Sequence, residues 1–150
     1  MTTQTTTAVN ACDVDIWLDN AANTLTDIGG GTNKIDLEFD HELGEYRAFG
    51  NKWRGRLECG KDAKFTLYVI YSTTATEAMK IIESWFHANV PGARSLKIYV
   101  PTKSAGAAVY SCEARIDEYK FTVDVNDPNA VMATVVLLPD GAVTYSTAAT

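Results

Sequence analysis

Apolar and polar residues alternate with a period of two along most of this chain, the spacing that sends successive side chains to opposite faces of a β-strand. Val14, Ile16 and Leu18 oppose Asp13 and Asp15 in a first strand from about Cys12 to Leu18. Leu25 to Ile28 predicts a short second strand, after which Gly29, Gly30 and Gly31 break the chain as a flexible turn. In a third strand Ile35, Leu37 and Phe39 alternate with Asp36, Glu38 and Asp40, so that one face is core and the other carboxylate. Phe65, Leu67, Val69 and Tyr71 alternate with Thr66, Tyr68 and Ile70, which predicts a central strand covered on both sides. Further strands are expected at Leu96 to Pro101, from Ala108 through Val125, at Val131 to Leu138 and at Ala142 to Tyr145. Ile116 and Tyr119 share an apolar face but lie an odd step apart, so a bulge or tight turn is required at Asp117 and Glu118.

The period changes once. Ala78, Ile81, Ile82, Trp85, Phe86 and Asn89 recur at helical steps, predicting a helix over about 75–88, with Thr74 and Glu77 as a capping box and Pro91-Gly92 as the stop. Ile81, Ile82, Trp85 and Phe86 should face the sheet, and Thr76, Lys80, Glu83 and His87 the solvent. Residues from about 41 to 55 read as a long loop in which Tyr46, Phe49 and Trp53 stand among Arg47, Lys52, Arg54 and Arg56. Compact domains seldom keep so long an irregular segment without a use, and aromatic plus arginine is the composition of contact surfaces. Seven to nine strands, one helix and no βαβ alternation predict a mainly β fold. The architecture expected is an antiparallel β-sandwich or flattened barrel with one flanking helix.

Length and charge narrow the function. The 150 residues suit one domain from about residue 12 onward, behind a threonine-rich N-terminal arm of residues 1–11 expected to be flexible. A net charge of -6 argues against a surface that grips nucleic acid by neutralising phosphates. No apolar run reaches the length of a membrane span, and the first residues lack the basic start and apolar stretch of a secretory signal. A chain made in a cytoplasm, with no membrane binding, is expected. Cys12, Cys59 and Cys112 are too far apart for a zinc knuckle and are expected to be reduced, half-buried packing residues.

No catalytic residue, metal or cofactor is expected. His41 and His87 stand near no nucleophile motif, and the chain carries no nucleotide, haem, flavin or zinc signature. Asp36, Glu38 and Asp40 would lie along a line rather than around an ion.

The order of parts resembles the major tail tube proteins of long-tailed bacteriophages, whose fold also builds the tubes of contractile tails and of type VI secretion. The resemblance is carried by AFGNKWRGRLECGKDAKFTLYVIY (Ala48 to Tyr71), by WFHANVPG leading into LKIYVP, and by SCEARIDEYKFTVDVNDPNAVMATVVLLPDGAVTYS. It implies a structural virion protein whose hexameric rings stack head to tail into a conduit for viral DNA, which passes without specific binding. Implied partners are further copies of the chain and tape-measure, tail-terminator and tail-tip proteins. Tyr46, Arg47, Phe49, Trp53, Arg54 and Arg56 would then contact neighbouring subunits, and Asp36, Glu38 and Asp40 are candidates for the lumen.

Two charge blocks fit a head-to-tail contact between unlike patches: Asp36, Glu38, Asp40, Glu42 and Glu45, and then Arg47, Lys52, Arg54, Arg56, Lys61 and Lys64. A carboxylate wall would repel DNA over a Debye length of about 8–10 Å. Alternatives remain at this point: a tube protein of a contractile injection system, or a monomeric β-sandwich binding module for capsid decoration or carbohydrate. The module would use Tyr46, Phe49 and Trp53 as a stacking platform. A small hydrolase is a third reading.

Overall fold

A computed structural model of the chain describes residues 8–149. Most of the expected N-terminal arm, residues 1–7, lies outside the described residues. Eight strands follow in order: β1 (Asp15–Asp19), β2 (Leu25–Asp27), β3 (Thr32–Tyr46), β4 (Gly55–Ile70), β5 (Arg94–Val100), β6 (Ala108–Phe121), β7 (Met132–Pro139) and β8 (Thr144–Thr147). One α-helix, α1 (Ala78–Phe86), lies between β4 and β5. The strands form a single antiparallel sheet in the order β2-β1-β5-β6-β7-β4-β3, which is not closed. β8 joins β6 at Ala108 to Ser111, next to the point where β7 leaves it at Ala114. The sheet curls enough for Phe39 on edge strand β3 to meet Tyr110 of β6, with ring centroids 5.3 Å apart. The mainly β architecture with one helix is thus the one expected.

The core lies inside this curl. Ile16, Leu18, Phe65, Leu67, Val69, Leu96, Ile98, Ala133, Val135 and Leu137 are buried on the inner face, and α1 lays Ala78, Met79, Ile81, Ile82 and Trp85 over them. Each buried large apolar side chain contributes roughly 1.5–3 kcal/mol. Trp85 is anchored at its polar end too: its Nε1 donates to Pro91 O at 2.8 Å and Gly92 O at 3.1 Å, so the segment that stops the helix also satisfies its largest core residue.

Several expectations are corrected. The helix starts at Ala78 with Glu77 as N-cap and no side-chain capping bond, so the Thr74/Glu77 box does not form; Glu77 N bonds Thr74 O in a preceding turn. Gly29–Gly31 is no free turn but a short 3-10 segment packed on the start of α1, where a Cβ on Gly31 would stand 3.1 Å from Ala78 Cβ. Phe86 lies at the margin of the core, stacked on Tyr119 at 5.3 Å. β4 is central, but α1 covers only its inner face; on the outer face Thr66 is buried and Ile70 is 39% exposed. β6 ends at Phe121, leaving Val123 and Val125 in an exposed connection. The expected bulge is found, as a register shift between Ile116 and Glu118. By giving Asp117 no partner, it keeps Tyr119 and Phe121 in phase with the inner face.

Candidate assembly interface

The longest ladder is the hairpin of β3 and β4, paired from Thr32 with Val69 to Tyr46 with Gly55. β7 supports β4 only from Phe65 to Ile70. Beyond Phe65 the hairpin runs on as a two-stranded arm toward the tip, with Phe39 to Tyr46 spanning about 23 Å at a rise of roughly 3.3 Å per residue. The loop expected over about 41–55 is therefore shorter. Strand pairing continues through Tyr46 and resumes at Gly55, leaving residues 47–54 as the tip.

Local chemistry shapes the tip. Asn51 N bonds Ala48 O at 3.2 Å, Trp53 N bonds Asn51 Oδ1 at 3.0 Å, and Gly50 takes a φ of 81°, a left-handed value that favours glycine. Tyr46 folds its ring over Gly55, where a Cβ would come within 2.2 Å of Tyr46 Cζ. Phe49 is fully exposed and Trp53 is 80% exposed; Phe39, Leu43, Tyr46 and Leu57 along the arm are about half exposed. So much apolar surface on one projection makes it the candidate contact site.

The two charge blocks do not form separate patches. Because the chain turns back at 47–54, residues far apart in sequence become neighbours across the ladder. Arg54 Nη1 lies 2.9 Å from Glu45 Oε2, Arg56 Nε lies 3.8 Å from Glu45 Oε1, and Lys64 pairs opposite Glu38. A register shift between Glu42 and Leu43, with Cys59 as the extra residue on β4, sets Arg54 and Arg56 on Glu45's side of the arm. Arg47 and Lys52 make no ion pair among the described residues. Asp36, Glu38 and Asp40 do share the outer face of β3, but Lys34 Nζ stands 3.5 Å from Asp36 and both Lys64 and Asp62 lie across from the row. The surface there is net acidic and mixed in sign.

At the base of the arm, where it diverges from β8, a cavity of about 580 Å³ opens between Phe39, Ala63, Tyr110, Val143 and Tyr145, rimmed by Asp40 and Asp62. No sequence signal singled it out, because its walls come from four distant segments. Among the described residues no group of three or more histidine, cysteine or acidic side chains is placed to hold a metal ion. The cysteines divide: Cys12 and Cys59 are exposed rather than packed, whereas Cys112 is buried, and burial, helped by Glu113, pushes its thiol up to about 11.

No known family profile matches the sequence, and no curated protein matches it. Solved structures do. The tail of an empty gene transfer agent particle with C6 symmetry superimposes with a TM-score of 0.70 at 16% identity, covering 93% of this chain and 99% of that one. The SPP1 tail tube gives 0.76 at 11% identity over 95% of this chain and 81% of that one. The sheath-tube complex of an extracellular contractile injection system gives 0.67 at 15% identity over 93% and 92%. Across such low identity the shared property is the backbone architecture, and this chain has the tail-tube fold.

Proposed function

We propose that the chain is a structural subunit that polymerises with copies of itself into a hollow tube, as hexameric rings stacked head to tail in a phage tail or a related particle. One observation carries the reading: nearly the whole chain shares its architecture with tube subunits from a gene-transfer-agent tail, a phage tail and contractile injection systems. The shape supports it. Among the described residues β2, β3 and β8 are each paired on one side only, and a long unpaired edge such as that of β3 is an aggregation liability unless joining a neighbour is its purpose. Phe49, Trp53, Arg47 and Arg54 at the tip, with Tyr46 and Arg56 beside it, would contact neighbouring subunits. Asp36, Glu38 and Asp40 remain the candidates for a wall facing DNA, which such a wall would repel rather than bind. Similar proteins occur in assemblies with a baseplate, a terminating cap and a sheath, so tail-tip, terminator and tape-measure proteins are the partners to look for.

Electron microscopy of the concentrated protein tests this. Rings or tubes of uniform bore are expected, and a strictly monomeric species at every concentration overturns the reading. A second reading rests on the cavity at the arm's base, whose volume is that of a small-ligand site. Under it the chain is a binding module, and sedimentation would show a compact monomer that changes only with ligand.

A further inference from the structure

The two ends of the molecule are chemically opposite. The tip, residues 47–54, carries Arg47, Lys52 and Arg54 and no carboxylate, with Phe49 and Trp53 exposed between them. At the other end of the same sheet, where β4 finishes at Ile70 beside Met132, the connection between β6 and β7 carries Asp124 and Asp127 and no cation. Every residue from Phe121 to Ala130 is exposed, with Val125 at 96%. Asp124 Oδ1 accepts from Asn126 N and Asp127 Oδ1 from Asn129 N, each at 2.9 Å, so both carboxylates are held in defined turns. Neither makes an ion pair among the described residues. At the same end of the sheet the turns 20–24 and 87–93 contain no carboxylate, and the segment 71–77, joined to the connection by Tyr71 N to Val131 O at 2.8 Å, adds Glu77 and no cation.

We infer that the 122–131 connection is the surface that receives the hairpin tip of a second copy in the next ring. This rests on the tube reading above and adds the identity of the receiving surface. Three observations on one chain carry it. The charges are complementary and otherwise unpaired: Arg47 and Lys52 at the tip, Asp124 and Asp127 on the connection. The apolar partners match as well, aromatic Phe49 and Trp53 against aliphatic Val123 and Val125, so the contact would bury apolar surface as well as pair charge. Finally, the two surfaces lie about 50 Å apart along the 16 residues of β4, at roughly 3.3 Å each, so a tip cannot reach its own receiving surface. A contact between unlike ends, repeated by translation, does not close, and it propagates as a stack.

Charge exchange tests the contact. Asp124→Lys with Asp127→Lys should abolish tubes seen by electron microscopy, as should Arg47→Glu with Lys52→Glu. The chain carrying all four changes should form tubes again. Asp124→Asn with Asp127→Asn keeps both turn-forming oxygens and guards against simple misfolding of the connection; it should raise the concentration needed for tubes while leaving the circular dichroism spectrum unchanged. If the wild type forms tubes and the lysine or asparagine variants form them equally well, the inference is overturned and the tube reading stands. Failure of the fourfold variant to recover tubes, with both pairs abolishing them singly, overturns the pairing in the same way. A wild type that never assembles removes the tube reading itself, and the inference with it.

Discussion

The β3–β4 hairpin is two structures in one ladder. Its inner half, Thr32 to Phe39 against Ala63 to Val69, has β7 beside it and α1 across the core, and Phe65, Leu67 and Val69 are wholly buried. Its outer half, Asp40 to Tyr46 against Gly55 to Asp62, has the same backbone hydrogen bonding with no third strand and no covering layer. A lone two-stranded ribbon is marginal in water. Equal ladders therefore carry unequal stability: the inner half belongs to the fold, and the outer half is free to be stabilised by contacts with another chain.

That contrast is open to attack, beginning where the effect should be greatest. Trp85→Ala empties the core beneath the inner half and loses two hydrogen bonds; a destabilisation of about 3–5 kcal/mol is expected in urea unfolding. Phe49→Ala with Trp53→Ala should shift the same midpoint by less than about 0.5 kcal/mol, because those rings touch little in the isolated chain, yet abolish tube formation. A tip variant that unfolds the domain would erase the distinction between the two halves. Gly55→Val forces the Tyr46 ring off its seat, and its effect should be confined to the arm, read as faster proteolysis within 41–60 at an almost unchanged unfolding midpoint. Thiol labelling sharpens the boundary with smaller perturbation. In the unassembled chain, Cys12 and Cys59 should react readily with an aromatic disulfide at neutral pH, and Cys112 only on unfolding. Burial raises the Cys112 pKa to about 11, so its thiolate is scarce in the folded chain at neutral pH, in keeping with labelling that waits for unfolding. Arg54→Ala removes an exposed ion pair and should change stability by less than about 1 kcal/mol.

The same contrast explains what could be read from the chain alone. Alternation of apolar residues reports burial on one face, and it located the strands wherever a face is buried: Ile16 and Leu18, Phe65 to Val69, and Ala133 to Leu137. The segment His41 to Tyr46 is strand with exposed residues on both sides, so it carries no such signal and looks like loop. The bulge near Asp117 was legible because apolar residues stand on both sides of it and fix the phase. Thr74 and Glu77 have the right types for a cap, but the helix start is set by Ala78 packing on Gly31, a contact between segments far apart in sequence. The charge blocks misled for a related reason, since a hairpin brings the ends of a linear run face to face. The exposure of Phe49 and Trp53 was legible because they are large aromatics without a periodic apolar partner, which is what an unburied side chain looks like in a sequence.

Cys59 has a consequence that is one of parity. Down the ladder from Asp36 to Glu42, even-numbered residues of both strands share the outer face; past the extra residue the count on β4 changes, and Leu57 and Gly55 come to lie with Gly44 and Tyr46. Drawing Cys59 into the ladder opposite Leu43 would exchange the two sides of β4 from Glu58 to the tip, setting Arg56 beside Tyr46 and turning Leu57 toward Glu45. Every side chain would be retained, yet a partner meeting the arm would find its lettering reversed.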